Sequence, residues 1–169
     1  MRILIIFIFL LSNSIADERI NIKNLVIYEE LKKLDGITFL DIKKNEINLT
    51  EYQGNLILLN FWATWCAPCK KEMPSLDLLK SRNELDNLEI FPINVGKENV
   101  EKASNFLRDL NIKNLKTYFD TKVTLVKKFQ LRGIPTSILI NKEGFEFARI
   151  IGSIDFENKE FIDWLSKYN

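Results

Sequence analysis

Cys66 and Cys69 are the residues of this chain best suited to chemistry. They are the only two cysteines among 169 residues, and they flank Ala67 and Pro68. A thiolate can attack a disulfide, and a second thiol one helical turn away can then release the attacked partner. The spacing therefore favours thiol–disulfide exchange. The alternative is half of a zinc site, but the chain has no second cysteine pair to complete it.

The surrounding residues indicate a strand before this pair and a helix after it. An apolar run lies within a central strand expected over residues 55–62, and apolar residues then recur at helical spacing up to about Asn83. The free N–H groups at a helix N-terminus stabilise a thiolate. We therefore expect Cys66 to be an exposed nucleophile and Cys69 to be the resolving thiol. Pro68 suits the first helical turn, where no backbone donor is needed.

Composition excludes several other kinds of site. The chain has no histidine, so a Ser-His or Cys-His catalytic pair and a histidine-ligated metal are ruled out. It has 24 basic and 23 acidic residues, a balance that argues against nucleic acid or an anionic membrane surface as the main partner. No cofactor is expected beyond a redox-active disulfide between the two cysteines.

A second feature is the segment Gly133–Thr136, which precedes an apolar strand. Pro135 is a candidate cis-proline, and an open backbone edge at Ile134 would let an extended substrate pair there. A trans-proline that begins a strand is the alternative.

The predicted elements give an α/β fold with a mixed central sheet. Their order is an N-terminal hairpin followed by β, α, β, α, α, β, β and α. Residues 25–28 are expected to form a short strand and residues 29–34 a helical turn. Asp120 and Asp155 are the predicted N-caps of the last two helices.

The first residues have the pattern of a targeting segment. A basic start, nine apolar residues and a small residue at Ala16 predict a secretory signal over residues 1–16. A buried first strand and an uncleaved membrane anchor are the alternatives. Residues 17–35 are then an N-terminal extension and residues 36–169 the main domain. Secretion would place the cysteines in a periplasmic or other extracytoplasmic compartment, where disulfides persist.

Four motifs carry a resemblance to a known family. Phe61–Lys70 resembles the active-site signature of thioredoxins. Leu59–Trp62, Lys71–Pro74 and Asn94–Gly96 resemble the secreted TlpA/ResA branch, as do the leading hairpin and an extra helix between the second strand and the proline. The resemblance implies a thioredoxin fold and a catalytic dithiol.

The resemblance also implies roles for residues near the cysteines. Pro135 would be the cis-proline, and Trp65, Ala67, Pro68 and Ile134 would join it in contacting the substrate. Trp62 is expected to pack in the core, and Arg132 to be solvated.

One departure from cytosolic thioredoxins concerns proton transfer. Those proteins carry a buried Asp at the position of Asn60, which cannot take a proton. In ResA-like proteins a Glu three residues past the second cysteine tunes the thiols, and Glu72 matches it. Cys69 and Glu72 share a helix face at this spacing, so we expect Glu72 to be the third catalytic residue. An ordinary solvated glutamate is the alternative.

The predicted function is reduction of disulfides in extracytoplasmic proteins. For members of this branch the resemblance implies work on apocytochrome c, and a membrane thiol donor of the CcdA/DsbD type. A monomer is expected. The alternatives are a disulfide-donating oxidase, a thiol peroxidase and a metal-binding module. Thr64 precedes Cys66 by two positions rather than the three usual in peroxidases.

Overall fold

One mixed sheet organises the computed structural model, which describes residues 20–169. Its spatial order is β1-β8-β7-β4-β5-β6-β2-β3. The strands are β1 (Leu25–Lys33), β2 (Thr38–Leu40), β3 (Glu46–Asn48), β4 (Leu56–Trp62), β5 (Leu88–Asn94), β6 (Tyr118–Phe119), β7 (Thr136–Ile140) and β8 (Phe145–Ile151). Strand β4 runs parallel to β5 and antiparallel to β7. The predicted mixed α/β architecture is therefore confirmed.

The helices cover both faces of this sheet. They are α1 (Ala67–Lys80), α2 (Val100–Asp109), α3 (Thr124–Lys128) and α4 (Lys159–Leu165), with short 3-10 turns at Leu49–Tyr52, Asn83–Leu85 and Ser166–Tyr168. Apolar residues of α1, α2 and α4 belong to one buried cluster, and those of α3 belong to the cluster on the opposite face. The two helices expected between β5 and β7 are both present.

Strand β4 is the centre of the core because all seven of its residues are buried. Successive side chains of a strand point to opposite faces. Leu56, Leu58 and Trp62 accordingly belong to the cluster beneath α1, whereas Ile57, Leu59 and Phe61 belong to the other. The same alternation sends Asn60 towards α1.

The N-terminal region differs from expectation. Residues 25–33 form one strand antiparallel to β8, so the helical turn predicted over residues 29–34 is wrong. The pairing shifts register between Ile27 and Lys32, and this irregularity hides the strand pattern from sequence reasoning. The predicted hairpin is present as β2 and β3, and it joins the sheet through β6, a strand that the sequence did not indicate.

Three predicted helix ends need correction. Helix α1 stops at Lys80, and Asn83 begins a separate 3-10 turn. Asn158, not Asp155, caps α4 by accepting a hydrogen bond from the N–H of Phe161. Asp120 does bind the N-terminal amides of α3, but from a position four residues before the helix begins.

The predicted signal over residues 1–16 lies outside the described residues. Within residues 20–169, the helices are too short or too polar to cross a lipid bilayer.

Candidate active site

The redox turn joins β4 to α1 and carries a disulfide between Cys66 and Cys69. Cys66 is the N-cap of α1, and its Sγ accepts a hydrogen bond from the backbone N–H of Cys69 at 3.2 Å. Its own N–H donates to the carbonyl of Ala63 at 3.1 Å. Pro68 lies in the first turn of the helix, as predicted. The turn therefore aims a helix N-terminus at the sulfur of Cys66.

The expected exposure of Cys66 is not found in this disulfide-bonded form. Cys66 is 4% exposed and Cys69 is fully buried, and the two sulfurs are bonded to each other. The residues next to the cysteines are exposed to solvent instead. Trp65 is 68% exposed, and Ala67 and Pro68 are exposed beside it. They form an open surface around a covered sulfur.

Glu72 lies on the buried face of α1, so the interpretation as a solvated residue is wrong. It is 2% exposed, and its Oε1 accepts a hydrogen bond from Asn60 Nδ2 at 2.9 Å. Asn60 Nδ2 also donates to Ser137 Oγ at 3.0 Å. Burial raises the pKa of Glu72 to about 7, against the opposing effects of the Asn60 hydrogen bond and the nearby N–H of Ile154. A carboxyl poised near neutral pH therefore lies one helical turn from Cys69.

Buried polar atoms without a hydrogen-bond partner are concentrated around this site. Of four such side-chain atoms in the described part of the chain, three are Asn60 Oδ1, Trp62 Nε1 and Glu72 Oε2. A proton on Glu72 would make one oxygen a donor and leave fewer unmatched acceptors than a carboxylate would. The geometry thus agrees with the raised pKa. Trp62 is fully buried and stacks on Phe106, as expected of a core residue.

The proline segment lies at the same end of the sheet as the redox turn. The Ile134–Pro135 peptide bond is cis, and Thr136 pairs with Phe61 of β4. Pro135 is buried, while Ile134 is partly exposed and its backbone makes no hydrogen bond to the described residues. The open backbone edge predicted at Ile134 is therefore available. Arg132 is exposed and forms no ion pair with a described carboxylate, as expected of a solvated residue.

A buried carboxylate that sequence reasoning missed fixes the start of the redox turn. The Glu98 side chain is 5% exposed and accepts hydrogen bonds from the N–H and hydroxyl of Thr64 at 3.1 and 2.5 Å. It also accepts one from Asn94 Nδ2 at 2.6 Å. A Cβ on Gly96 would lie 2.6 Å from this carboxylate, so only glycine leaves it room. In the sequence, the one indication of this contact is Gly96, which belongs to the Asn94–Gly96 motif of the resemblance.

The part of the chain that the structure describes contains no group of three or more cysteine, aspartate or glutamate side chains arranged to hold an ion. The redox-active group of this site is the disulfide itself.

Comparison with known proteins agrees with this geometry. The sequence profile of the AhpC/TSA family matches residues 30–145. The thiol-disulfide oxidoreductase ResA of Geobacillus thermodenitrificans is 35% identical over 121 residues, which are 70% of this chain and 67% of that protein. ResA of Bacillus cereus is 29% identical over 129 residues, covering 76% of this chain and 73% of the relative.

A solved structure extends the likeness to the fold. The crystal structure of a protein described as the thiol:disulfide interchange protein DsbE from Chlorobium tepidum superposes with a TM-score of 0.69. It covers 82% of this chain and 97% of its own, at 22% identity. The protein thus has a thioredoxin-like fold and is a thiol–disulfide oxidoreductase. The chain belongs to the AhpC/TSA family, and within it to the ResA-like thiol–disulfide oxidoreductases.

Proposed function

We propose that the protein works as a reductant of disulfides in extracytoplasmic proteins. The observation that supports exchange chemistry at this site is the buried Glu72 carboxyl, whose pKa of about 7 suits a proton acceptor for the resolving cysteine. The reducing direction rests on the resemblance to the ResA branch. A reductant must deprotonate a buried thiol at Cys69 before it can complete its reaction. Glu72 lies on the same face of α1 as that thiol, at a spacing of one helical turn.

The proposed reaction has two displacement steps. In the reduced protein the Cys66 thiolate attacks one sulfur of a substrate disulfide, forming a mixed disulfide and releasing the other sulfur as a thiolate. Cys69 passes its proton to Glu72 and attacks the Cys66 sulfur, which releases the second substrate thiolate. The substrate gains two electrons, and its two thiolates take up protons from Glu72 and from water. The protein loses two electrons and ends with the disulfide seen in the structure.

The proposed docking surface surrounds Cys66. Trp65, Ala67 and Pro68 supply exposed surface on one side of the sulfur, and Ile134 with Pro135 supplies the open backbone on the other. An extended substrate could pair with the backbone of Ile134 while its cysteine meets Cys66.

Compartment and partners belong to the same proposal. A secretory signal over residues 1–16 would deliver the protein outside the cytoplasm, and an uncleaved signal would tether it to the membrane. The ResA name of the relatives supports a role in cytochrome c maturation, in which apocytochrome c would be the substrate. A membrane thiol protein of the CcdA/DsbD type would return electrons to the protein.

The direction of electron flow is tested by the reduction potential. A value below about −250 mV is expected for a reductant, whereas a value near −120 mV would identify a disulfide-donating oxidase instead. Equilibration with glutathione or dithiothreitol, monitored by intrinsic tryptophan fluorescence, gives this value. Partners trapped on Cys69→Ser, which stalls the mixed disulfide on Cys66, would identify the substrates.

The role of Glu72 is tested in single-turnover reactions with a disulfide peptide. In Glu72→Gln the mixed disulfide is expected to persist, with resolution slowed about 10-fold to 100-fold at pH 7 because the general base is missing. Glu143→Gln, which removes an exposed carboxylate from a turn, is the matched control. Wild-type resolution rates and thiol titration curves in Glu72→Gln would contradict the assignment.

A further inference from the structure

A cavity of about 510 Å³ lies beside the proline segment and is rich in positive charge. Its walls come from β1 and the residue after it, from residues 128–132 at the end of α3 and beyond, and from β7 and β8. We call it the basic cavity, after the five cationic side chains that line it: Lys32, Lys33, Lys128, Arg132 and Arg149. None of these residues has a role in the disulfide chemistry described above.

The positive charge of the basic cavity is largely unbalanced. Its one acidic lining residue, Glu146, is 2% exposed at its side chain and is held by Arg149 in an ion pair of 2.7 Å. The other four cations form no ion pair with a carboxylate of residues 20–169. The whole chain has nearly equal numbers of basic and acidic residues. The excess in this cavity is therefore a local feature rather than a general property of the surface.

Most of these cations keep free hydrogen-bonding capacity. Lys32 lies over the ring of Tyr28 at 4.1 Å, and Lys128 donates one hydrogen bond to the carbonyl of Asp35. Lys33 and Arg132 are exposed and make no side-chain hydrogen bond to described residues. An Arg guanidinium and a Lys ammonium that lack ion-pair partners are each suited to a carboxylate ligand.

The basic cavity begins at the end of the sheet that carries the redox turn and runs towards the opposite end, where Lys32 and Lys33 pair with Glu146 and Phe145 of β8. Thr136 lines it, and this residue pairs with Phe61 near the end of β4. Arg132 also lines it and lies three residues before the cis-proline. A polypeptide that pairs with Ile134 would therefore extend towards these cations.

We propose that the basic cavity binds an acidic segment of the substrate polypeptide, next to the disulfide being reduced. The inference rests on the proposed reductase function and specifies the substrates of that site. The shape favours a polypeptide over an anionic membrane, because the cavity is concave and includes the apolar side chains of Phe129, Leu131 and Ile151. An acidic segment with apolar residues matches both kinds of wall.

The physical effect is expected mainly on the rate of encounter. Exposed charges contribute little binding energy individually, but a cluster of one sign steers an oppositely charged partner and raises its association rate. The effect is screened when the Debye length becomes shorter than the distance between the charges. The substrate preference should therefore depend on salt.

The test uses three cystine peptides that share one disulfide core and differ only in four flanking residues, which are acidic, neutral or basic. The reduced wild-type protein is expected to reduce the acidic peptide about 10-fold faster than the basic one at low ionic strength. High salt should bring the two rates together. Lys33→Glu and Arg132→Glu should each lower the preference, and the double variant should abolish or reverse it. Lys116→Glu, at an exposed lysine outside the cavity, is the matched control and should keep it.

The neutral peptide separates the two proposals. If wild type does not reduce it, the reductase function itself fails. If wild type reduces all three peptides equally, only the basic-cavity inference is overturned. Position 33 lies outside the proline segment, so Lys33→Glu leaves Pro135 undisturbed. If this variant loses the preference for the acidic peptide and reduces the neutral peptide at the wild-type rate, the inference is supported. The wild-type protein is also tested for binding to phosphatidylglycerol vesicles. If both cavity variants abolish this binding but keep the peptide preference, the inference is overturned in favour of a membrane contact.

Discussion

Glu72 and Asn60 form a polar pair whose chemistry depends on only one of them being ionisable. Two carboxyl groups in contact at 2.9 Å could not both ionise in a buried site. With Asn60 in the central strand, the Glu72 carboxyl has a donor on one oxygen and titrates alone. The arrangement gives a single proton acceptor near neutral pH rather than a coupled pair.

This ionisation should be visible in the stability of the oxidised protein, whose cysteines do not titrate. The folded pKa of about 7 exceeds the ordinary value of 4.5, so the folded state binds more protons between these values. Stability should therefore be greatest below pH 4.5 and fall as the pH rises to 7, by about 3 kcal/mol from this group. Glu72→Gln should remove this part of the pH dependence and be the more stable protein at pH 8. Urea unfolding at pH 5 and pH 8 measures both effects. An equal change in the free energy of unfolding between the two pH values in the two proteins would refute the assignment.

Glu98 and Gly96 are coupled by direct steric contact. Alanine at position 96 would place a Cβ 2.6 Å from a carboxylate that three hydrogen bonds hold in place. Gly96→Ala is expected to cost about 2 kcal/mol in wild type, because the carboxylate must leave its partners. In a Glu98→Ala background the same change should cost much less. A double-mutant cycle by chemical denaturation measures the coupling, and additive effects would show that the contact is not the cause.

At the level of elements, the sequence predicted the parts that have one strong local signal. Strand β4 and helix α1 follow from an apolar run and a helical repeat, and they place Cys66, Cys69 and Pro68 correctly. Strand β6 has two residues and β1 pairs irregularly, so neither has a readable period. Their strand conformation comes from neighbours that are distant in sequence.

The site shows the same division between local and long-range information. The resemblance identified Glu72 and Pro135, because they belong to compact motifs. The burial of Glu72 beside Ser137 depends on β7 lying next to β4, which the local pattern does not contain. Glu98 reaches Thr64 across 34 positions of sequence, so spacing alone could not reveal it.

Helix α3 provides a test of how a short helix is held at its N-terminus. It has five residues, and the buried Asp120 accepts hydrogen bonds from the N–H groups of Thr124, Leu125 and Val126. Asp120→Ala should cost about 2 kcal/mol, since it leaves these amides without a charged acceptor. Asp155→Ala removes an exposed carboxylate with one backbone partner and should cost about 0.5 kcal/mol or less. Thermal unfolding compares the two variants, and equal losses would contradict the capping role of Asp120.

At the level of the whole molecule, β1 closes one edge of the sheet. It pairs with β8 at five positions, so residues from the predicted extension are continuous with the sheet of the main domain. It carries the exposed apolar residues Val26, Ile27 and Leu31, together with charged residues and a register shift. Irregular pairing and lysines are common ways to discourage edge-to-edge association, which suits a protein expected to be a monomer.

Removal of β1 should therefore reveal what it contributes. A chain that begins at residue 36 would expose the edge of β8, including the backbone of Ala148 and Ile150, which pair with Ile27 and Leu25. Loss of five cross-strand positions is expected to cost about 2 kcal/mol, and the open edge should promote self-association. A chain that begins at residue 20 is the reference, because it keeps all of β1. Chemical denaturation measures the loss and light scattering at rising concentration measures the association. Equal stability and equal mass for the two chains would show that the main domain is complete without residues 20–35, as the sequence-based boundary at position 36 assumed.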